Sequence, residues 1–277
     1  MAGVQEREGF PPGVPCWIDT QQPDRDAALR FYGAVFGWSF ENHLQRGDRA
    51  YDLATLDGRV VAAIGSGPSD TTATWTTYIG VDDVEAAVAN VAAAGGTVVA
   101  PPLRAGSAGR LALVTDPTGA NLALWEPGRR KGVERVNEPG SWNWSLLSTP
   151  DPAGAAAFYA EVFGWETDID APGPKLVRLP GYADFLEQFD PELRARHAAG
   201  GVPEGFSDAV AWILPSRGAA FWAVTFSVAD ADAAAQAAEQ EGGRVVSGPT
   251  DTEWTREVVL ADPAGATFTA SAFRPPS

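Results

Sequence analysis

Apolar residues recur along this chain in two rhythms. Ala28, Phe31, Tyr32, Val35 and Phe36 repeat at i, i+3, i+4, i+7 and i+8, which is one buried face of a helix. That helix begins after Pro23-Asp24 and stops at Gly37. Shorter strand-like runs flank it: Cys16–Thr20 before, then Trp38–His43, Tyr51–Leu56 and Val60–Ile64 after. Asp57-Gly58 is a good hairpin turn between the last two. The pattern predicts a β-α-β-β-β unit. The same order follows at once: a strand at Thr74–Val81, a helix capped by Asp82-Asp83 with the face Val84, Ala87, Val88 and Val91, a stop at Gly95-Gly96, and strands at Thr97–Ala100, Arg110–Thr115 and Asn121–Trp125.

This pair of units is itself repeated. Phe31-Tyr32-Gly33-Ala34-Val35-Phe36-Gly37-Trp38 returns as Phe158-Tyr159-Ala160-Glu161-Val162-Phe163-Gly164-Trp165. Asp116-Pro117-Thr118-Gly119-Ala120 returns as Asp262-Pro263-Ala264-Gly265-Ala266. Two matched segments in the same order mean a duplicated domain, and the second spacing is longer by about 20 residues, so copy two carries an insertion. The expected organisation is a first domain at 14–127 (modules 14–66 and 74–127), a linker at 128–139, and a second domain at 140–274 with the insertion at about 181–206. Asp190–Ala199 reads as a short polar helix within that insertion. A segment inserted into a repeat often covers the mouth of a site.

Composition narrows the function classes. The 277 residues suit two domains, and an apolar fraction of 45% supports a core in each. A net charge of −16 opposes nucleic-acid binding. The basic cluster Arg129, Arg130, Lys131 and Arg135 reads as a solvated linker. One cysteine, Cys16, excludes an internal disulfide and fits a reducing cytoplasm. Met1–Gly13 has no apolar stretch of a signal peptide, and no run is long enough to span a membrane. The expectation is a cytoplasmic monomer, an internal pseudo-dimer, or a weak homodimer.

Four marks give a resemblance: Phe-Tyr near the end of the first helix, Gly-Trp opening the next strand, Val81-Asp82-Asp83 at the second helix, and Asp-Pro-x-Gly before the last strand. All four occur in both copies, with Val228-Ala229-Asp230 as the looser third mark. The chain resembles the vicinal oxygen chelate superfamily of glyoxalases, bleomycin-resistance proteins and extradiol dioxygenases, and most of all its tandem two-domain actinobacterial members. The resemblance implies an α+β fold of four β-α-β-β-β modules that form cupped mixed sheets.

It also implies positions for a divalent metal's ligands, normally His, Gln or Glu. Carried onto this chain, those positions hold Trp17, Thr76, Ala123 and Ala62 or Ala63 in copy one. In copy two they hold Trp144, Ala223, Thr269 and Ala211 or Trp212. None coordinates a metal well, and both histidines, His43 and His197, fall elsewhere. The expectation is no metal and no cofactor.

Aromatic side chains stand in the cups instead. By strand alternation Trp17, Tyr78 and Trp125 share a face in copy one, with Thr76 and Ala123. Trp144, Trp212 and Trp222, with Thr225 and Thr269, form the equivalent expectation in copy two. Such walls suit a small hydrophobic or aromatic ligand. Asp19 shares the face of Trp17 where copy two has Leu146, so acid–base chemistry would belong to copy one, with Tyr51 or Tyr182 as a second group. Asp52 and His43 are further candidates at strand ends, and His197 reads as exposed. Two functions remain open. One is metal-independent binding of a natural product, for resistance or sequestration. The other is a metal-free enzyme of secondary metabolism that isomerises, opens or hydroxylates its substrate.

Overall fold

The structure, a computed structural model, describes residues 5–6, 9–46 and 49–274. Part of Met1–Gly13, read above for a leader, lies outside the described residues. Copy one comprises β2 (Pro15–Gln22), α1 (Arg25–Phe36), β3 (Ser39–Arg46), β4 (Arg49–Leu56), β5 (Arg59–Ser66), β6 (Trp75–Gly80), α2 (Val84–Ala93), β7 (Thr97–Arg104), β8 (Gly109–Thr115) and β9 (Asn121–Pro127), preceded by the two-residue β1 (Gln5–Glu6). After β10 (Arg135–Val136), copy two comprises β11 (Trp142–Thr149), α3 (Pro152–Phe163), β12 (Glu166–Thr167), β13 (Lys175–Arg178), α4 (Tyr182–Leu186), α5 (Leu193–Gly200), β14 (Ala209–Pro215), β15 (Phe221–Ser227), α6 (Ala231–Gln240), β16 (Arg244–Asp251), β17 (Thr255–Ala261) and β18 (Thr267–Phe273).

The helices start where their sequences allow. Asp24, Asp83, Asp151 and Asp230 each accept a backbone N–H of the first turn through the side chain. Gly37 and Gly164 end α1 and α3 in the left-handed conformation.

Each copy builds one mixed sheet from both of its modules. The first runs β3-β4-β5-β2-β6-β9-β8-β7, and the second follows β12-β13-β14-β11-β15-β18-β17-β16. The modules therefore pair within a copy, across the antiparallel seams β2/β6 and β11/β15. The helices pack on the face opposite the cup. Leu122 and Leu124 of β9 meet Val84, Ala87 and Val91 of α2, while Trp125, of the opposite parity, looks the other way.

The helical faces do not stay within their own copies. One core joins Phe31, Tyr32 and Phe36 of α1 to Phe226, Phe268 and the alanines of α6. The other joins α2 to Phe158 and Tyr159 of α3. The repeated motifs meet crosswise at these contacts. Tyr32 Oη donates to Asp262 Oδ2 (2.9 Å), and Tyr159 Oη donates to Asp116 Oδ2 (3.0 Å). The glycine pairs after α2 and α6 belong to the same arrangement. A Cβ on Gly96 would lie 3.1 Å from the ring of Phe158, and one on Gly243 would lie 2.5 Å from the ring of Phe31.

The connection at 128–139 is docked, which corrects its reading as a solvated linker. Val133 N donates to Cys16 O and Glu134 N to Val60 O, and Val133 and Val136 are buried. Among the described residues no helix is long and apolar enough to cross a membrane.

Candidate functional site

The cup of copy one encloses a cavity of about 1190 Å³. The strands that form it bring five of the six copy-one candidates on this face to its wall: Trp17, Asp19, Thr76, Tyr78 and Trp125. Tyr51 joins them from β4. Ala123 sits in register with Tyr78 but is wholly buried and forms part of the packed floor.

The three strands β4, β2 and β6 converge on a single oxygen. Tyr51 Oη donates to Asp19 Oδ2 (2.8 Å), and Tyr78 Oη donates to the same atom (2.8 Å). Gln21 Nε2 lies 3.5 Å from it. Trp17 Nε1 donates to Tyr51 Oη (3.1 Å), which fixes that hydroxyl's orientation. Burial pushes the Asp19 carboxyl up to about 6, against the opposing pull of the hydrogen bonds from Tyr78, Tyr51 and Gln21. Burial, and then the charge on Asp19, also raise both tyrosines well above the ordinary phenol range, so they act as donors. Trp125 meets Tyr78 edge-on at 6.3 Å. The result is an aromatic cup with one proton-exchanging group at its floor.

Other candidates lie elsewhere. Asp52 is buried on the opposite side of β4, where Arg25 at the start of α1 pairs with it (Nη2–Oδ1 2.7 Å) and Asn42 donates to it. It anchors a helix. His43 is exposed at the rim of the cavity. Cys16 is buried in the core and its thiol is pushed far up by burial, so it is no nucleophile. Arg104 and Arg130 line the cavity too, and strand parity gave no reason to choose them.

Copy two does not form the equivalent wall. Trp222 is buried between the copies, where its Nε1 donates to Tyr159 Oη (3.0 Å), just as Trp75 Nε1 donates to Tyr32 Oη (3.0 Å). Leu146 replaces Asp19 and Thr225 replaces Tyr78 in the strand register, and Thr225 pairs with Thr269 on β18. Trp212 stands beside Leu146 where copy one has Ala63 beside Asp19. Phe206, from the insertion, packs on Trp144 at 5.8 Å, and Trp212 meets Trp144 at 6.4 Å. A separate cavity of about 120 Å³ lies between the segment entering copy one and the insertion, lined in part by Val14, Trp142, Trp144, Tyr182 and His197 and by none of Leu146, Trp212, Thr225 and Thr269. Tyr182 therefore lies in the other copy from Asp19 and cannot be its partner. His197 is half-buried rather than exposed: Nδ1 is 3.0 Å from Ser207 Oγ and the ring meets Phe206 edge-on.

Residues 17–124 and 141–269 match the Glyoxalase/Bleomycin resistance protein/Dioxygenase superfamily. The chain belongs to that superfamily. It is 37% identical over 96% of its length to the glyoxylase-named protein CFP32 of Mycobacterium tuberculosis, covering 97% of it. It is 33% identical over 96% of its length to the anthracycline biosynthesis protein DauV of Streptomyces sp. (strain C5), covering 95% of it. In fold it is similar to the Mn(II)-bound glyoxalase of Novosphingobium aromaticivorans, with a TM-score of 0.61 and 16% identity over 94% of this chain and 82% of that one. The 2,3-dioxygenase LapB of Pseudomonas sp. KL28 superposes with a TM-score of 0.60 and 18% identity over 96% of this chain and 95% of that one.

A divalent metal is implied by several superfamily folds, but the cup's donors do not fit one. Among the described residues that line it, Asp19 is the only carboxylate, and Oδ2 is engaged by two hydroxyls. Among the described residues the one group of three acidic side chains close enough to share an ion is Asp83, Glu85 and Glu126, outside the cup. Those carboxylates cap α2 and pair with Arg110.

Proposed function

We propose that this protein binds a flat, apolar or aromatic small molecule in the cup of copy one, without a metal. One observation carries this reading. Copy one leaves about 1190 Å³ open between Trp17, Tyr78 and Trp125, with the buried Asp19 on its wall where the register of copy two places Leu146. The volume is ample for a multi-ring ligand. The likeness to a protein of anthracycline biosynthesis supports a natural-product ligand of the resistance or sequestration kind. Calorimetric titration with a panel of fused-ring aromatics tests it. Trp17→Ala should weaken binding at least fivefold in protein that remains folded, since a stacking partner contributes about 1 kcal/mol beyond its buried area. Trp144→Ala should leave binding unchanged. Equal loss in both variants, or in neither, places the site elsewhere. Elemental analysis should find no stoichiometric transition metal after dialysis.

A second reading is favoured by Asp19 itself. A buried carboxylate that exchanges its proton near pH 6 is matched to general acid–base work. On an enolisable ketone, Asp19 would take a proton from carbon. The C–H electron pair would become a carbon–carbon double bond as the carbonyl π pair moves onto oxygen, where a tyrosine released from Asp19 donates. In a β,γ-unsaturated ketone, return of the proton to the γ carbon shifts the double bond into conjugation and completes an isomerisation. Incubation of a bound ketone in D2O should then give deuterium incorporation that Asp19→Asn abolishes. Incorporation at the rate of buffer alone leaves simple binding.

A further inference from the structure

The cup of copy one runs against the charge of the chain around it. The protein has 36 acidic and 20 basic side chains. Yet the charged groups that line this cavity, among the described residues, are the buried Asp19, the half-buried Arg130 and the exposed Arg104, with His43 also exposed at its edge. A local reversal of sign at the entrance of an acidic protein favours an anion there.

The two arginines differ. Arg130 is held in place: its carbonyl accepts Trp125 Nε1 (3.0 Å), its guanidinium lies over the Trp17 ring at 5.8 Å, and Nη1 pairs with Glu134 (2.9 Å). That pairing offsets much of its charge. Arg104, at the end of β7, is exposed, and among the described residues no acidic side chain pairs with it. Among the described residues that line the cavity, it is the arginine without an acidic partner.

The floor makes the opposite demand. All three side-chain hydrogen bonds to Asp19 land on Oδ2, which leaves Oδ1 to accept from a bound group. An ionised Oδ1 suits a hydroxyl that donates and repels a carbonyl oxygen. Between floor and mouth the wall is aromatic.

We propose that the ligand of this cup is an anionic hydroxyaromatic compound. Its rings lie between Trp17, Tyr78 and Trp125, its hydroxyl donates to Asp19 Oδ1, and its carboxylate meets Arg104 and Arg130. This inference rests on the cup of copy one being the binding site.

Calorimetric titration with 6-hydroxy-2-naphthoate, 2-naphthoate and 2-naphthol at pH 7.5 and low salt tests it. The hydroxy acid should bind at least tenfold more tightly than either partner compound. Arg104→Gln should weaken the hydroxy acid about fivefold and leave 2-naphthol unchanged. Asp19→Asn should cancel the advantage of the hydroxyl while 2-naphthoate still binds. Wild-type protein that binds 2-naphthol as tightly as the hydroxy acid would overturn the anionic assignment and leave the cup as the site. Folded protein that binds none of the three, or binds them equally well after Trp17→Ala, would overturn the site and this inference together.

Discussion

Asp19 sets a conflict between stability and chemistry at a single residue. Its folded-state value of about 6 lies above the ordinary 3.8, so the native state holds this proton more tightly than the unfolded chain does. The stability contributed by that proton is fully present below about pH 4 and is lost as pH rises through about 6. Asp19→Asn keeps the shape and removes the buried charge. The variant should gain about 2 to 3 kcal/mol over the parent at pH 7.5, and the gain should vanish towards pH 4. Denaturant midpoints at the two pH values measure this, and a gain that does not depend on pH would show that Asp19 does not titrate in this range. Much of this residue was legible in the sequence, because strand parity places Asp19 beside Trp17 and Tyr78 beside Thr76. The convergence of Tyr51 and Tyr78 on one oxygen was not. It depends on the register of β4 and β6 against β2, which no local pattern records. Arg104 and Arg130 were missed for a related reason, since a charged residue at a strand end or in a connection reads as solvated.

The elements show where two copies of one fold part company. The spacing of repeated motifs placed an insertion in copy two, and the structure fills it with α4 and α5 where copy one has only the hairpin between β4 and β5. Asp190–Ala199 overlaps α5, but the α4 turn carrying Tyr182 was not anticipated, because five residues are too few to show a helical period. The insertion packs on the sheet of copy two through Phe206 on Trp144. Phe206→Ala should cost about 1 to 2 kcal/mol, less than for a fully buried phenylalanine. It should also shift tryptophan emission to the red as Trp144 meets water. Emission unchanged in the variant would mean that other insertion residues keep Trp144 covered.

At the scale of the molecule the copies are not independent domains. The motifs that reveal the repeat, Phe-Tyr and Asp-Pro-x-Gly, make their hydrogen bonds to each other's copy. Their presence was plain in the sequence; their crosswise pairing was not, because a motif shows that a residue is wanted and not which copy wants it. Trp222 was assigned to a ligand wall on the same evidence, since an aromatic at an interface and one in a cup look alike along a strand. Tyr159→Phe removes the donor to Asp116 and the acceptor of Trp222 Nε1 at once. It should cost about 1 to 3 kcal/mol, the range for buried polar groups left without partners. Scanning calorimetry should show one transition in parent and variant alike, with only its midpoint lowered. Two resolved transitions in the parent would show that the copies melt separately.

The shared cores also make the order of the chain almost incidental. Each half exposes, when alone, the apolar helical face that the other half covers, and the docked connection, with Val133 and Val136 buried, stays with the first half when the chain is opened after Glu138. A protein opened at Glu138–Pro139 and produced as two polypeptides should therefore reassemble into a one-to-one heterodimer that elutes as a single species. It would be a split protein whose reunion could be placed under external control. Fragments that stay apart, each soluble and folded, would show that the covalent join does more than the architecture suggests.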